Sequence, residues 1–372
     1  MKVSTFFAGC AFSAAIGAAA VWFVGDLGGG CTDAPAITIN KKTTLGTPWV
    51  DLPALDFSMP PYAKHLEDVV IVLDPGHGGR EDRKGWKRGP TGLREAEVNL
   101  RIAQFLRVFL EEAGAKVVLT RDKDVYLRKA DDEDLDARAA IANQLVADLF
   151  LSIHHNASDK SADANYSTFF YHGAPEQNPV SISAARYLYE GLSDALRLEQ
   201  HLDCGVVSDL ALYPKNGLRV LRMVDGPAVL SEGSFHSNPE EEQRLRDPEY
   251  NRREAYGLFL GLARWAQAGL PRVQLVKPEN GRIRTGESIV IQLDDGLSRR
   301  GSFGMQLPQL VPDSILVGYN GQALPYQFDA KKKLITIEAT SRMARNGGDL
   351  YVDFTNLFGQ HVLHPWIELR RE

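Results

Sequence analysis

The chain has 372 residues, 44% of them hydrophobic and 24% charged, which is the composition of an ordinary globular protein. At about 150 residues per domain this length predicts two or three domains and excludes a single small module. The composition argues against a coiled coil and wholesale disorder. The net charge of −6 disfavours nucleic acid as a partner.

The N-terminal segment predicts export. Residues 3–25 carry no charge, follow Lys2 and are long enough either for a secretory signal or for a membrane span. The run Ala18–Ala20 fits a small-residue cleavage site, and Gly28–Cys31 loosely resembles a lipidation site at Cys31. We therefore expect residues 1–30 to be a signal peptide or anchor, and the protein to be periplasmic or in the cell envelope, with the membrane contacted only through this segment.

The next residues predict a linker and then an α/β unit. Residues 31–67 are interrupted by Pro53, Pro60 and Pro61 and show no sustained periodicity. The apolar run VVIVL at 69–73 predicts a strand buried on both faces. A helical pattern from Val98 to Leu110 and a second strand, KVVLT at 116–120, complete a βαβ unit and indicate a parallel sheet.

The alternation of helices and strands continues to about residue 269. Helices are predicted over 137–145, 179–196 and 248–267, and strands over 149–153 (LFLSI), 166–171 (YSTFFY, with alternating burial) and 228–231 (AVLS). We predict a catalytic domain over 68–269 with a mostly parallel, twisted sheet and helices on both faces.

Beyond Pro271 the pattern changes to short strands without intervening helices. The runs SIVIQL, SILVGY, KLITIEA and DLYVDF are separated by Gly, Asn and Asp. This spacing predicts a β-sandwich accessory domain over 270–372.

Polar clusters follow three of the predicted strands. His77 lies in DPGHGG after the first, His154 and His155 follow LFLSI, and Glu232 follows AVLS. Because the carboxyl ends of parallel strands share one edge, these side chains are expected to meet. Glu95 opens the first long helix and is a fourth candidate. Two histidines and a carboxylate are suitable ligands for tetrahedral Zn²⁺ with an open position for water.

Each candidate also has a structural interpretation. A strand-end histidine often only forms hydrogen bonds, Glu95 in a first helical turn complements the helix dipole, and Glu232 beside Gly233 would suit a turn. His154 and His155 point in opposite directions on a strand, so only one of them is expected to face a metal. The remaining histidines lack this context, and Cys204 is expected to be a small, partly buried residue.

Residues 69–268 resemble the zinc-dependent N-acetylmuramoyl-L-alanine amidases of bacterial cell-wall turnover. The resemblance depends on VVIVLDPGHGG, GLREAEVNL, TRDKDVYL, ARAAIANQLVADLFLSIHHNAS and LRMVDGPAVLSEGSFHSNPEEE. It implies that His77, Glu95 and His154 bind zinc and that Glu232 is catalytic. It selects Glu95 rather than Glu97, which is then solvent-facing. The family usually has Gly directly before the Phe that follows the catalytic Glu, whereas this chain has Gly233-Ser234, a difference expected to affect loop shape more than chemistry.

The resemblance implies cleavage of the amide between N-acetylmuramic acid and L-alanine in peptidoglycan. Zinc would lower the pKa of its bound water, and Glu232 would transfer protons. Two alternatives stay open, a zinc peptidase or amidohydrolase acting on another wall peptide and a non-catalytic wall-binding regulator. The accessory domain would bind wall polymer, bind an activator or other partner, or only space the enzyme.

Overall fold

The computed structural model describes residues 55–79, 88–298 and 309–371. Across these three ranges, no helix combines the length and the apolar character needed to cross a membrane. The predicted signal or anchor at 3–25 and the candidate lipidation site Cys31 lie outside the described residues.

A six-stranded sheet forms the centre of the first half of the chain, in the order β2-β1-β3-β6-β4-β5. The strands are β1 (Val70–Pro75), β2 (Lys116–Leu119), β3 (Leu149–Asn156), β4 (Thr168–Tyr171), β5 (Val206–Ser208) and β6 (Ala228–Phe235). All neighbours pair in parallel except β4 and β6, which are antiparallel. The predicted mostly parallel sheet is confirmed.

Helices cover both faces of this sheet. They are α1 (Glu95–Glu112), α2 (Asp131–Leu145), α3 (Pro179–Leu196), α4 (Arg219–Arg222), α5 (Pro239–Arg246) and α6 (Pro248–Gln267). Helices α1, α3 and α6 share one apolar cluster with one side of the strands, and α2 and α4 pack on the other side around Val72 and Phe150. The predicted layering of helices on both faces is therefore confirmed.

The predicted linker is folded over its last residues. Pro61–Leu66 forms a 3-10 helix in which Ala63 and Leu66 are buried, and the Phe57 ring packs against Tyr256 at 5.3 Å between centroids. Proline suits the first turn of a helix because the amide hydrogen that it lacks has no partner there. Pro61 was expected to interrupt regular structure, but it instead begins this 3-10 helix.

Three element predictions differ in detail from the structure. Strands β3 and β6 extend beyond 153 and 231, so that His154 and Glu232 lie within strands rather than after them. Helix α2 starts at Asp131 instead of 137, since four acidic residues in its first turn complement the helix dipole. Strand β4 is buried along its whole length, and the predicted alternation there is wrong because helices or neighbouring segments cover both faces.

Two further sheets follow residue 271. One has the order β11-β10-β14-β15-β8 and the other β12-β13-β9-β7, and the two enclose a single apolar cluster as a β-sandwich does. Their members are β7 (Arg272–Lys277), β8 (Arg282–Ile283), β9 (Ser288–Asp294), β10 (Leu316–Tyr319), β11 (Gln322–Ala323), β12 (Gln327–Asp329), β13 (Leu334–Glu338), β14 (Gly348–Asp353) and β15 (Trp366–Arg371), with the short helix α7 (Ser341–Asn346). Every pair is antiparallel except β8 with β15.

The C-terminal part of the chain contacts the first half through both polar and apolar side chains. Arg272 forms an ion pair of 2.8 Å with Asp148, and the Asn356 amide donates to the Ala268 carbonyl at 2.9 Å. Leu363 packs into the apolar cluster of α1, α3 and α6. Asp148 directly precedes β3, so this contact lies at the amino ends of the parallel strands. The division of the chain near residue 270 stays a prediction.

Candidate metal site

The loop after β1 brings His77 to the carboxyl edge of the sheet. His77 has a φ of 60°, a left-handed conformation that few residues adopt. The preceding Gly76 lies against the imidazole of His154, where any side chain would collide with the ring. Glycine at position 76 therefore allows the end of β1 to lie directly against the His154 side chain of β3.

A buried ion pair supports this loop from below. The carboxylate of Asp74 accepts hydrogen bonds from Thr120 at 2.6 Å, Ser152 at 2.7 Å and Arg138 at 2.8 Å. Arg138 also donates to the His77 carbonyl at 2.7 Å. Burial acts to raise the pKa of Asp74, but Arg138 and the two hydroxyls outweigh it and the pKa is lowered. The sequence does not predict this ion pair, because no pattern near Arg138 in α2 indicates that its side chain reaches Asp74 in β1.

Replacement of Arg138 by methionine is expected to lower the free energy of unfolding by about 3–5 kcal/mol, since it leaves Asp74 buried and uncompensated. Because the folded-state pKa of Asp74 lies below its usual 3.8, its contribution is present above that pH and is lost as the pH falls through the lowered value. Denaturant unfolding at neutral pH measures the loss. The exposed Arg128→Met is the control, and a loss no larger than that of the control would contradict the role given to Arg138.

Glu95 joins His77 and His154 at this edge. Its Oε2 lies 2.9 Å from Nε2 of His77, and its Oε1 lies 3.1 Å from Nδ1 of His154. Burial acts to raise the pKa of Glu95, but the two histidines outweigh it and hold the pKa well below the ordinary value. The first residue of α1 is thus a buried, ionised carboxylate between two imidazoles.

The three side chains could hold a metal ion. Their ligand atoms all lie within 4.8 Å of one another, and among the residues that the structure describes this is the one such group. Two N or O ligands of a tetrahedral zinc, each at about 2.0–2.2 Å, lie roughly 3.4 Å apart, and the distances of 2.9 and 3.1 Å from Glu95 to the two histidines are somewhat shorter than this. The histidine side chains are 17% and 16% exposed, which leaves one side of the cluster open to solvent.

His155 faces the opposite side of β3, as the alternation of a strand predicts. It is buried, with Nδ1 2.8 Å from Oδ1 of Asn99 and Nε2 3.2 Å from Oε2 of Glu254. Glu97 is exposed, also as predicted. The choice of His154 over His155, which the sequence alone left open, follows from the direction of the side chains.

Glu232 lies on β6 directly across from His154 in the parallel register. Its Oε2 is shielded from solvent and has no hydrogen-bond partner among the described residues. Burial, and then the nearby Glu95 carboxylate, raise the pKa of Glu232 well above its ordinary value. A strand interior excludes the alternative that Glu232 is a turn residue.

The Gly233-Ser234 pair lies within β6 rather than in a loop. A side chain at Gly233 would collide with the carboxylate of Glu254, and Ser234 is completely buried. The expectation that this pair affects a loop is therefore wrong, since it affects packing between β6 and α6.

The other histidines of the described chain lie elsewhere. His172 pairs with Asp209, His361 with Asp353, and His364 is 4.0 Å from Asp148. His65 and His236 are buried, and His201 is exposed. Cys204 is partly buried, as expected.

An α/β sheet that brings two histidines and two carboxylates to one open edge has the parts of a metal-assisted hydrolase. A family model described as N-acetylmuramoyl-L-alanine amidase matches residues 71–264. The chain belongs to this family of cell-wall hydrolases, which confirms the resemblance and favours an enzyme over a non-catalytic regulator.

Individual relatives agree with this assignment. The germination-specific N-acetylmuramoyl-L-alanine amidase of Bacillus subtilis is 30% identical over 220 residues, which cover 56% of this chain and 84% of the relative. AmiC of Escherichia coli, another N-acetylmuramoyl-L-alanine amidase, is 31% identical over 241 residues, which cover 56% of each chain. The chain thus spans just over half of the length of AmiC.

Among solved structures, the CwlD amidase of Clostridioides difficile, in complex with the GerS lipoprotein, has 27% identity and a TM-score of 0.46. The match covers 53% of this chain and 98% of CwlD.

Proposed function

We propose that this protein is a zinc-dependent N-acetylmuramoyl-L-alanine amidase in which His77, Glu95 and His154 bind the metal and Glu232 transfers protons. The observation that carries the proposal is the placement of Glu232, with its unpartnered oxygen, across from His154 at the edge that holds the three ligand candidates. These residues fit Zn²⁺ because imidazole nitrogens and a carboxylate are among its preferred ligands.

When bound, zinc supplies Lewis acidity and makes a water molecule acidic enough to be deprotonated near neutral pH. The chain supplies orientation. His77 and His154 are held at right angles, with their planes at 84° and centroids 4.7 Å apart. The hydrogen bond from Arg138 to the His77 carbonyl and the packing of His154 on Gly76 restrict movement of both rings.

Glu232 is suited to accept a proton and to return it. Its raised pKa makes it a stronger base than an exposed carboxylate, and its free Oε2 is not occupied by a competing hydrogen bond. In the proposed reaction, Oε2 takes the proton of the attacking water and then donates it to the amine of L-alanine as the amide bond breaks. Burial, and then the charge of Glu232, raise the pKa of Tyr166 to about 12, so this phenol stays neutral.

The test of the function is digestion of purified peptidoglycan with and without a chelator. Mass analysis should show release of intact stem peptides beginning with L-alanine and glycan strands that have lost them. Chelation should abolish the release and added Zn²⁺ should restore it. Products cut inside the stem peptide would instead indicate a peptidase, and unchanged digestion after complete metal removal would refute the zinc proposal.

We also propose that the protein acts outside the cytoplasm and that the C-terminal sheets position it rather than build its active site. Peptidoglycan is an extracytoplasmic substrate, and residues 3–25 have the sequence of an export signal or anchor. The contacts of the C-terminal sheets with Asp148 and Ala268 lie at the amino ends of the parallel strands, away from the ligand candidates. These contacts support an accessory role in binding wall polymer or a partner.

A chain ending at Gln267 is expected to bind zinc and to cleave small soluble muropeptides at a rate close to that of the full chain, because all four site residues precede it. Its thermal midpoint should fall, since Leu363 no longer packs on the core. Circular dichroism verifies that the shortened chain is folded. Intact sacculi serve as a second substrate, on which its activity should be lost if the C-terminal sheets position the enzyme. A folded chain that no longer cleaves the soluble substrate would show that the sheets complete the groove.

A further inference from the structure

A row of three buried polar side chains lies behind the candidate metal site. Asn99 of α1, His155 of β3 and Glu254 of α6 are 0%, 2% and 0% exposed. They connect in that order, with 2.8 Å from Asn99 to His155 and 3.2 Å from His155 to Glu254. Burying such polar groups lowers stability unless each forms hydrogen bonds, and the two contacts of this row supply those bonds.

The direction of the hydrogen bonds in this row follows from its ends. The Nδ2 of Asn99 faces two acceptors, Oε1 of Glu95 at 3.2 Å and the Gly76 carbonyl at 3.4 Å. Its Oδ1 therefore faces His155 and accepts, so Nδ1 of His155 is the donor. Nε2 of His155 then points to the Glu254 carboxylate. The row runs from Glu254 on α6 to the carboxylate of Glu95.

A second connection reaches Glu95 directly. The backbone amide of His155 donates to Oε1 of Glu95 at 3.1 Å. Fixing the His155 ring between Asn99 and Glu254 therefore also fixes the amide that holds Glu95. Two of the donors to this carboxylate, one side chain and one backbone, depend on the same histidine.

The other end of the row contacts the strand of Glu232. Oε1 of Glu254 has no hydrogen-bond partner among the described residues and lies against Gly233, where there is no space for a side chain. A buried oxygen without a partner costs about 1–3 kcal/mol in stability. A purely structural position would be expected to favour an apolar residue here, and the presence of a carboxylate points to a role in the site.

We propose that Glu254, His155 and Asn99 are positioning residues that orient Glu95 as a metal ligand. This inference rests on the proposed function, because it assigns Glu95 to the metal. Hydrogen-bonded partners of metal ligands fix the ligand orientation, and their loss typically reduces metal affinity about 10- to 100-fold.

The test is zinc affinity, measured by titrating the metal-free full chain with Zn²⁺ against a competing chelator. Glu254→Ala is expected to weaken binding about 10- to 100-fold. Glu254→Gln keeps an oxygen that accepts from Nε2 of His155 and should bind within a few-fold of wild type. Asp209→Ala is the matched control, because Asp209 is also 0% exposed and pairs with a histidine, His172, at 2.9 Å, but lies at the other end of the sheet.

Thermal unfolding of the same proteins separates positioning from stability. The Asp209 control should lower the midpoint and leave zinc affinity unchanged. A folded Glu254→Ala protein that binds zinc as tightly as wild type would overturn the proposal, and so would an equal loss of affinity in the control.

If Glu254→Ala fails to fold, Asn99→Leu provides a second test, because it removes the contacts of Asn99 with His155 and with Glu95. The same weakening of zinc binding is expected there, and unchanged affinity would overturn the proposal. A wild-type chain that binds no zinc would instead refute the proposed function, which keeps the two failures distinct.

Discussion

Replacement of Glu232 by glutamine should reduce turnover by about 100-fold or more while leaving the zinc content near one equivalent per chain. Glutamine has nearly the same shape but cannot accept and return a proton at Oε2. It also removes the repulsion between the Glu232 and Glu95 carboxylates, so the fold should not lose stability. Release of stem peptides from a soluble muropeptide measures turnover, and elemental analysis measures zinc.

Glu97→Gln is the control for this variant, because Glu97 is an exposed carboxylate only two residues from Glu95. Its turnover should equal that of wild type. Turnover of Glu232→Gln within a few-fold of wild type would show that Glu232 is not the proton-transfer group. Loss of zinc from the same variant would assign Glu232 to the metal instead.

Replacement of His154 by alanine should remove zinc and reduce turnover by more than about 100-fold, the upper end of the effect of losing an outer partner of a ligand. His154 is one of the three proposed ligands, and among the described residues these three form the one group placed to hold a metal ion. The wild-type chain, washed with chelator and reconstituted, should hold about one zinc.

His201→Ala provides the comparison, since His201 is exposed and far along the chain from the cluster. It should retain both zinc and activity. A His154→Ala protein with a full equivalent of zinc would refute the ligand assignment, whatever its activity.

The sequence predicts two of the long helices and the clustering of the four site candidates. Helices α3 and α6 begin and end where their patterns indicate, because proline at the first turn and a clear apolar stripe define them. His77, His154 and Glu232 come together because the parallel strands β1, β3 and β6 share one carboxyl edge, a rule that needs no knowledge of side-chain contacts. Glu95 reaches the same edge from the start of helix α1.

What the sequence does not show is which distant residues support the site. His155 and Glu254 are 99 residues apart, and Asp74 and Arg138 are 64 apart. These pairs form only when α6 and α2 pack on the sheet, and no local pattern marks them. The folded end of the predicted linker is missed for the same reason, since its burial depends on α6.

The attachment of the C-terminal sheets at Asp148 lies well away from the metal-ligand candidates. His154 lies six residues after Asp148 along extended chain, so the attachment and the ligand edge are about 20 Å apart. A substitution at the attachment is therefore expected to leave His77, Glu95 and His154 in place.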